Sequence, residues 1–353
     1  MNIRNLGSKL NTNQAALILS EENRLYFTGF PSSNGTLVVT PESGVFITDS
    51  RYIEAAENAV TEVPVRLQGQ LYQQVFDLLQ ESGCTEILVE AERMTLKELN
   101  TWRKMLPTYS FNVSTRLDDL ANEFRQQKCE EEVEQLQKAQ DIAEAALTEL
   151  LPLIKPGVAE RDLANELEFR MRRLGAEGIS FDSIVVTGEN SSKPHGVPGE
   201  KLVETGDFVT IDFGAIYGHY HSDCTRTFAV GQPSEEMVNV YETVLKAQLT
   251  GLSAISAGIS GKSLDNAARQ VIVDAGYGEF FGHSTGHGVG VEIHEHPYAG
   301  PKSEDTLSLN SVVTCEPGIY LPGKFGVRIE DTVLVTEDGY RNFCHLTKDL
   351  IVL

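Results

Sequence analysis

The stretch Val209–Asp223, V-T-I-D-F-G-A-I-Y-G-H-Y-H-S-D, holds two carboxylates in a setting that demands an account. Val209, Ile211 and Phe213 alternate with Thr210, Asp212 and Gly214, the period-2 pattern of a half-buried strand. An acid on such a strand costs several kcal/mol unless it is paired, hydrogen-bonded or bound to a metal. Asp223 follows a turn at Tyr217-Gly218-His219 and leads into a second run, C-T-R-T-F-A-V. Joined as a hairpin, the two runs bring Asp212 and Asp223 side by side. Carboxylates that close repel unless a proton or cation lies between them. Taken alone, the stretch also reads as one surface acid and one turn acid.

An internal repeat adds two more acids. Gly157-Val158, three residues, then Asp162-Leu163-Ala164-Asn165, ending at Leu174-Gly175, is echoed by Gly258-Ile259, three residues, then Ser263-Leu264-Asp265-Asn266, ending at Ala275-Gly276. Each copy predicts a capped helix, with Asp162 or Ser263 near the N-cap and glycine at C′. The strand V-T-I-D-F-G is answered by V-T-C-E-P-G at 313–318, and a hairpin-like run after each carries Asp223 and Glu330. Pseudo-twofold packing of the halves gathers Asp212, Asp223, Glu316 and Glu330 around one axis.

Four converging carboxylates require cations. Carboxylate oxygens suit hard divalent ions, and one neutral imidazole extends the range to Mn, Fe, Co or Zn. The candidate imidazole is His287 in F-G-H-S-T-G-H-G-V-G-V-E-I-H-E-H-P, flanked by His283 and His294 and crowded by Gly286, Gly288 and Gly290. Asp212, Asp223, His287, Glu316 and Glu330 suit a dinuclear site with ions about 3.5–4 Å apart. Such a pair acidifies a bridging water and polarises a carbonyl, the chemistry of amide hydrolysis. Two divalent ions per chain are expected, Mn2+ first, with Co2+, Zn2+ and Fe2+ acceptable to the same donors.

The elements that must position these groups fall into two sets. Residues up to about 120 alternate strands (A-A-L-I-L, L-Y-F, T-L-V-V-T, V-F-I-T) with helices over 50–60, 71–81 and 95–105, a small α/β layer without histidine. A long amphipathic helix is expected over 124–151, stopped by Lys155-Pro156-Gly157. The predicted domains are 1–122 and 123–353. All eight histidines lie at or after His195, so metal or acid–base chemistry belongs to the second.

Composition excludes other classes. A net charge of −22 argues against nucleic acid and anionic membranes as partners. No apolar run approaches the roughly 18 residues of a membrane span, and the N-terminus lacks a signal-peptide core. Five scattered cysteines without C-x-x-C read as free thiols of a reducing compartment, and a cytoplasmic location is expected.

The series I-D-F-G, S-D-C-T-R-T-F, H-S-T-G-H-G-V-G, C-E-P-G-I-Y and V-R-I-E-D-T resembles the pita-bread metallopeptidases, which include methionine aminopeptidase, aminopeptidase P and prolidase. N-R-L-Y-F-T-G-F and F-I-T-D-S-R-Y are similar to the creatinase/prolidase N-terminal domain, a ribonuclease H-like α/β unit, which counts against methionine aminopeptidase. The resemblance implies an α+β pita-bread domain after that unit, a homodimer, and a peptidase cutting before proline. Its substrates would be Xaa-Pro dipeptides or, alternatively, longer Xaa-Pro peptides.

Carried over residue by residue, it makes Asp212 a chelating ligand of one ion, Asp223 and Glu330 bridges, and His287 and Glu316 ligands of the other. Glu316 would also shuttle the proton. His294 would bind the scissile carbonyl and His195 would help close the substrate site. His283, Arg328, Tyr320 and Phe181 would line it, although Tyr320 and Arg328 could be merely packed or ion-paired and Phe181 a core residue. Tyr298, with Lys302 beyond it, stands where dipeptidases of this family often carry arginine after H-E-x-P. A tyrosine is not a bidentate charged fork, which favours the longer substrate, whereas the short chain favours the dipeptide. A non-catalytic binding protein or a metal-independent creatinase-like hydrolase would lack metal ligands, and all five are present here.

Overall fold

The computed structural model describes residues 2–353 and divides them into two compact units, up to Arg125 and from Gln126 to Leu353. In the first, α1 (Asn2–Ser8), β1 (Gln14–Ile18), α2 (Glu21–Thr28), β2 (Thr36–Val39), β3 (Gly44–Thr48), α3 (Ile53–Ala59), β4 (Val65–Leu67), α4 (Leu71–Glu81), β5 (Glu86–Val89), α5 (Leu96–Met105) and β6 (Ser110–Asn112) precede α6 (Arg116–Gln126). The sheet order is β4-β3-β2-β1-β5-β6. β1 to β3 pair antiparallel, whereas β5 and β6 run parallel to β1. Central β1 is buried throughout, as the apolar run that follows Gln14 requires.

Two expectations fail here for one reason. L-Y-F, expected as a strand, is helical within α2: the Ser20 hydroxyl accepts from Asn23 N, Glu21 and Glu22 occupy the first turn, and Gly29 ends the helix at φ 66. The helix expected over 124–151 is broken between α6 and α7 (Glu130–Leu150). Cys129 is extended there, and its N–H donates to Glu132 in a capping box at 2.7 Å. Local capping outweighs apolar periodicity in both places.

The second unit continues with α8 (Glu160–Arg173), β7 (Gly178–Ile179), β8 (Ile184–Thr187), β9 (Phe208–Phe213), β10 (Ala215–Tyr217), β11 (Tyr220–His221), β12 (Cys224–Ala229), α9 (Glu235–Ala254) and α10 (Gly261–Asp274). Then follow β13 (Gly286–Gly288), β14 (Glu295–Ala299), β15 (Val312–Cys315), β16 (Gly318–Leu321), β17 (Phe325–Arg328), β18 (Asp331–Val335) and β19 (Tyr340–Asn342). The repeat is literal. Helices α8 and α10 each have 14 residues and each begins beside a β-bridge, Ala159 to Leu202 and Ser260 to Thr306. Gly157 N donates to Val203 O at 2.9 Å, and Gly258 N to Leu307 O at 2.8 Å.

The caps themselves are Ala159 and Ser260, with Asp162 and Ser263 in the first turn and Gly175 and Gly276 at C′ as expected. Ser260 accepts from Ser263 N, while Ala159 offers no side chain. Backbone bonds from Glu160 N to Lys201 O (3.0 Å) and Arg161 N to Gly199 O (3.1 Å) hold that start instead.

Strands β9 and β12 pair antiparallel, as do β15 and β18. Asp212 and Asp223 are not direct partners across a tight hairpin, because β10 and β11 form a separate ribbon between them; Asp212 faces Thr225. The halves are joined through Glu330 N to Thr225 O (3.1 Å) and Thr332 Oγ1 to Asp223 O (2.8 Å). Among the described residues no helix is long and apolar enough to cross a membrane.

Glu160 is fully buried, and its carboxylate accepts from Thr187 N (2.7 Å), Gly199 N (3.1 Å) and Asn190 Nδ2 (3.2 Å), holding the 187–199 segment. Glu160→Ala leaves these donors without an acceptor. It should destabilise this unit by about 3 kcal/mol, seen as a lower urea midpoint, and Glu160→Gln should lose less.

Candidate active site

Equivalent strands of the two copies of the repeat face a cavity of about 580 Å³. Strand β9 supplies Asp212, the residue before β12 supplies Asp223, β13 supplies His287, the residue after β15 supplies Glu316, and the residue before β18 supplies Glu330. All five line this cavity, with His195, His283, His294, Tyr298, Arg328 and Phe181. Tyr320 does not line it; it is buried beneath, 6% exposed, with its hydroxyl between His283 and Arg328.

Ligand atoms of Asp223, His287 and Glu330 lie within 4.8 Å of one another. His287 Nε2 is 3.5 Å from both Asp223 Oδ2 and Glu316 Oε1. His287 Nδ1 meets Gly288 O at 3.0 Å, a contact that places the proton on Nδ1 and leaves Nε2 a bare donor atom for the acids' side. Burial and then the neighbouring His294, whose ring centroid is 4.3 Å away, pull His287 down to about 4, so it stays neutral. The glycines are sterically required: a Cβ on Gly286 would lie 2.0 Å from Thr314 O, and one on Gly288 2.4 Å from His296 O.

The acids strain against one another. Burial, then Asp212 and Glu316, raise Asp223 well above the carboxylate range; burial, then Asp223 and Glu316, do the same to Glu330. Burial takes Glu316 to about 8, opposed by Arg328. The cation on hand, Arg328, is committed at several points. Nη2 donates to Asp212 Oδ2 at 2.6 Å, Nη1 to Tyr320 Oη at 2.8 Å and Nε to Thr225 Oγ1 at 3.1 Å. Thr225 Oγ1 in turn donates to Glu330 Oε2 at 2.7 Å. Asp212 Oδ1 is buried without a hydrogen-bond partner. An orphaned carboxylate oxygen beside three raised acids and a bare imidazole nitrogen is a donor set for divalent cations, and these residues fit the metals the sequence implied.

Around this centre, His283 Nε2 contacts Tyr320 Oη at 2.9 Å and its Nδ1 is 3.9 Å from Glu316 Oε2. Burial and then Arg328 lower His283 to about 4. Burial lowers His294 as well, and His195 is exposed at the cavity mouth. His296 is held elsewhere, with Nδ1 2.8 Å from Asp305 Oδ2.

Residue types and spacing gave no sign of Lys128. Its Nζ forms a fully enclosed ion pair with Glu295 Oε1 at 2.6 Å, directly after His294. Nothing local to Lys128 marks it, because its partner lies far along the chain. Apolar Ile184, Val197, Pro198 and Ile293 also line the cavity, each part of an unremarkable loop or strand end in sequence.

Residues 134–337 match the model of metallopeptidase family M24, and residues 7–127 match the creatinase/prolidase N-terminal domain. The chain belongs to metallopeptidase family M24. It is 42% identical over 352 residues to an uncharacterized peptidase of Bacillus subtilis, covering 99% of each chain. The structure of the Xaa-Pro dipeptidase from Bacillus anthracis matches with a TM-score of 0.92 and 40% identity over 96% of this chain and 95% of that one. The X-Pro aminopeptidase from Thermotoga maritima matches at 0.91 and 37% over 99% and 100%. The second unit therefore has the pita-bread fold of the M24 enzymes, and the protein is a metal-dependent hydrolase.

Tyr320→Phe removes the hydroxyl linking His283 Nε2 to Arg328 Nη1 and leaves polar groups buried without their partner. A loss of about 1–3 kcal/mol in unfolding free energy is expected, measured by urea titration.

Proposed function

We propose that this chain hydrolyses the peptide bond between an N-terminal residue and proline, as an Xaa-Pro dipeptidase. The observation that carries the reading is the convergence of Asp212, Asp223, His287, Glu316 and Glu330, with Asp212 Oδ1 unpartnered, on one cavity. The similarity to an Xaa-Pro dipeptidase and an X-Pro aminopeptidase supports the proline-preceding bond.

Asp212 would chelate one divalent ion, His287 and Glu316 would hold a second, and Asp223 and Glu330 would bridge them. Mn2+ is proposed, with Co2+, Zn2+ or Fe2+ as substitutes. Bound there, the ions supply Lewis acidity that acidifies a water and polarises the scissile carbonyl. Glu316 takes the proton from the attacking water and returns it to the leaving prolyl nitrogen. His294, beside His287, hydrogen-bonds the carbonyl oxygen as it gains charge. His195 closes over the substrate at the mouth. His283 and Arg328, set by Tyr320, orient the substrate, and Phe181 with Val197 and Ile293 gives the N-terminal residue an apolar wall. Five free thiols support a reducing, cytoplasmic location, and the family resemblance supports a homodimer.

A second reading has its own observation. A neighbouring cavity of about 420 Å³ shares His283, Ser284 and Tyr298 with the first and reaches exposed Lys302. A peptide continuing past proline could enter it with its carboxylate toward Lys302, which favours aminopeptidase P activity.

The deciding experiment is hydrolysis after chelation and return of Mn2+, comparing an Xaa-Pro dipeptide with an Xaa-Pro-Yaa tripeptide. Activity should vanish with the metal and return with it. Dipeptide-only cleavage supports the first reading, tripeptide cleavage the second, and cleavage of neither by the loaded protein ends both. Asp223→Asn should reduce bound metal per chain, and turnover by about a hundredfold or more. Full metal and full rate in that variant would sink the bridging role.

A further inference from the structure

Behind the acid centre lies a second cluster that the peptidase chemistry does not use. Cys224, first residue of β12, and Cys344, just after β19, bring their sulfurs within 4.8 Å of each other and of a Glu144 carboxylate oxygen from α7. Both cysteines are buried, at 0% and 6% exposure. Cys224 directly follows Asp223, and its S–H points to Glu330 O at 3.6 Å. Cys344 Sγ accepts from Thr332 N at 3.4 Å, and Thr332 Oγ1 donates to Asp223 O. The thiols thus hold the backbone at both carboxylates placed as bridges.

The trio is a poor metal site. Glu144 Oε1 already accepts from His345 N (2.7 Å), Leu346 N (3.3 Å) and Gln140 Nε2 (3.2 Å). Arg226 Nη1 lies 3.4 Å from Cys224 Sγ and sets a fixed positive charge where a cation would sit. What remains is chemistry between the sulfurs.

We propose that Cys224 and Cys344 are a modification site, converted by hydrogen peroxide into a disulfide that displaces Asp223 and Glu330 and slows hydrolysis. One sulfur attacks the peroxide O–O bond, becoming a sulfenic acid and releasing water. The other sulfur displaces that hydroxyl as a second water. Both S–H bonds break, one S–S bond forms, and the two electrons pass to the peroxide. Closing the sulfurs to a bond of about 2.05 Å pulls the start of β12 toward the 343–346 segment. It also removes the S–H donor to Glu330 O. Both thiols are enclosed, which shuts out bulky thiol reagents and requires an oxidant as small as hydrogen peroxide. The effect on turnover rests on the peptidase reading; the disulfide does not.

The test uses the metal-loaded full-length protein, treated with hydrogen peroxide, then denatured and alkylated. Expected are a mass loss of two hydrogens, a peptide cross-linking Cys224 to Cys344, and a fall in Xaa-Pro hydrolysis of about tenfold or more, reversed by dithiothreitol. Cys344→Ser keeps an acceptor for Thr332 N in place of the sulfur, so it should retain hydrolysis and escape peroxide. Oxidation of exposed Cys129 without any Cys224–Cys344 cross-link overturns the site, and the wild-type mass reads this even if the variant fails to fold. A cross-linked enzyme of undiminished rate, or equal inactivation of Cys344→Ser, overturns the link to catalysis. Absence of hydrolysis before treatment counts against the peptidase reading alone, since the mass still decides the disulfide.

Discussion

Mutual repulsion among Asp212, Asp223, Glu316 and Glu330 is the constraint that organises the second unit. At low local dielectric, unpaired carboxylates at these separations cannot all stay charged. Three of them are accordingly raised, and the Arg328 guanidinium against Asp212 Oδ2 supplies only part of the compensation. The remaining deficit is an affinity for cations. Such a centre would unfold its own walls unless these were held independently, and the structure holds them through backbone: β9 with β12, β15 with β18, and the bonds from Glu330 N and Thr332 Oγ1 that cross between halves.

The repeat solves the geometric problem. One half alone provides a strand acid and a second acid across the sheet. A second copy, with its helix bridged to the loop before its own strand in the same way, supplies the other pair on the opposite wall. Symmetry brings like charge to like charge, and asymmetry then makes the site specific. The segment between α10 and β15 carries His283, His287 and His294, with no histidine counterpart between α8 and β9 except His195. Gly286 lets that segment press onto the β15 backbone and Gly288 onto β14, so His287 reaches the acids with a single free nitrogen.

The outer supports are buried polar contacts between distant parts of the chain. Glu160 ties the His195 segment to α8, Lys128 closes on Glu295 beside His294, and Tyr320 bridges His283 and Arg328. Each replaces water with a fixed partner and holds a segment that carries a cavity-lining residue.

Residue types and periodicity in the chain were enough to mark the acids, the helix pair, the histidine-rich segment and the two-part organisation. These are local signals: alternation marks a strand, glycine marks a helix end, and an acid at the same place in two copies marks a shared role. The L-Y-F helix and the break before α7 were less legible, because hydrogen bonds at helix ends compete with periodicity over only a few residues. Tertiary structure alone decided which atoms meet. That Asp212 faces Thr225, that Asp212 Oδ1 is left without a partner, and that Cys224 lies against Cys344 follow from contacts between segments that no spacing encodes. Periodicity reports which face of an element is buried; only packing determines what that face is buried against.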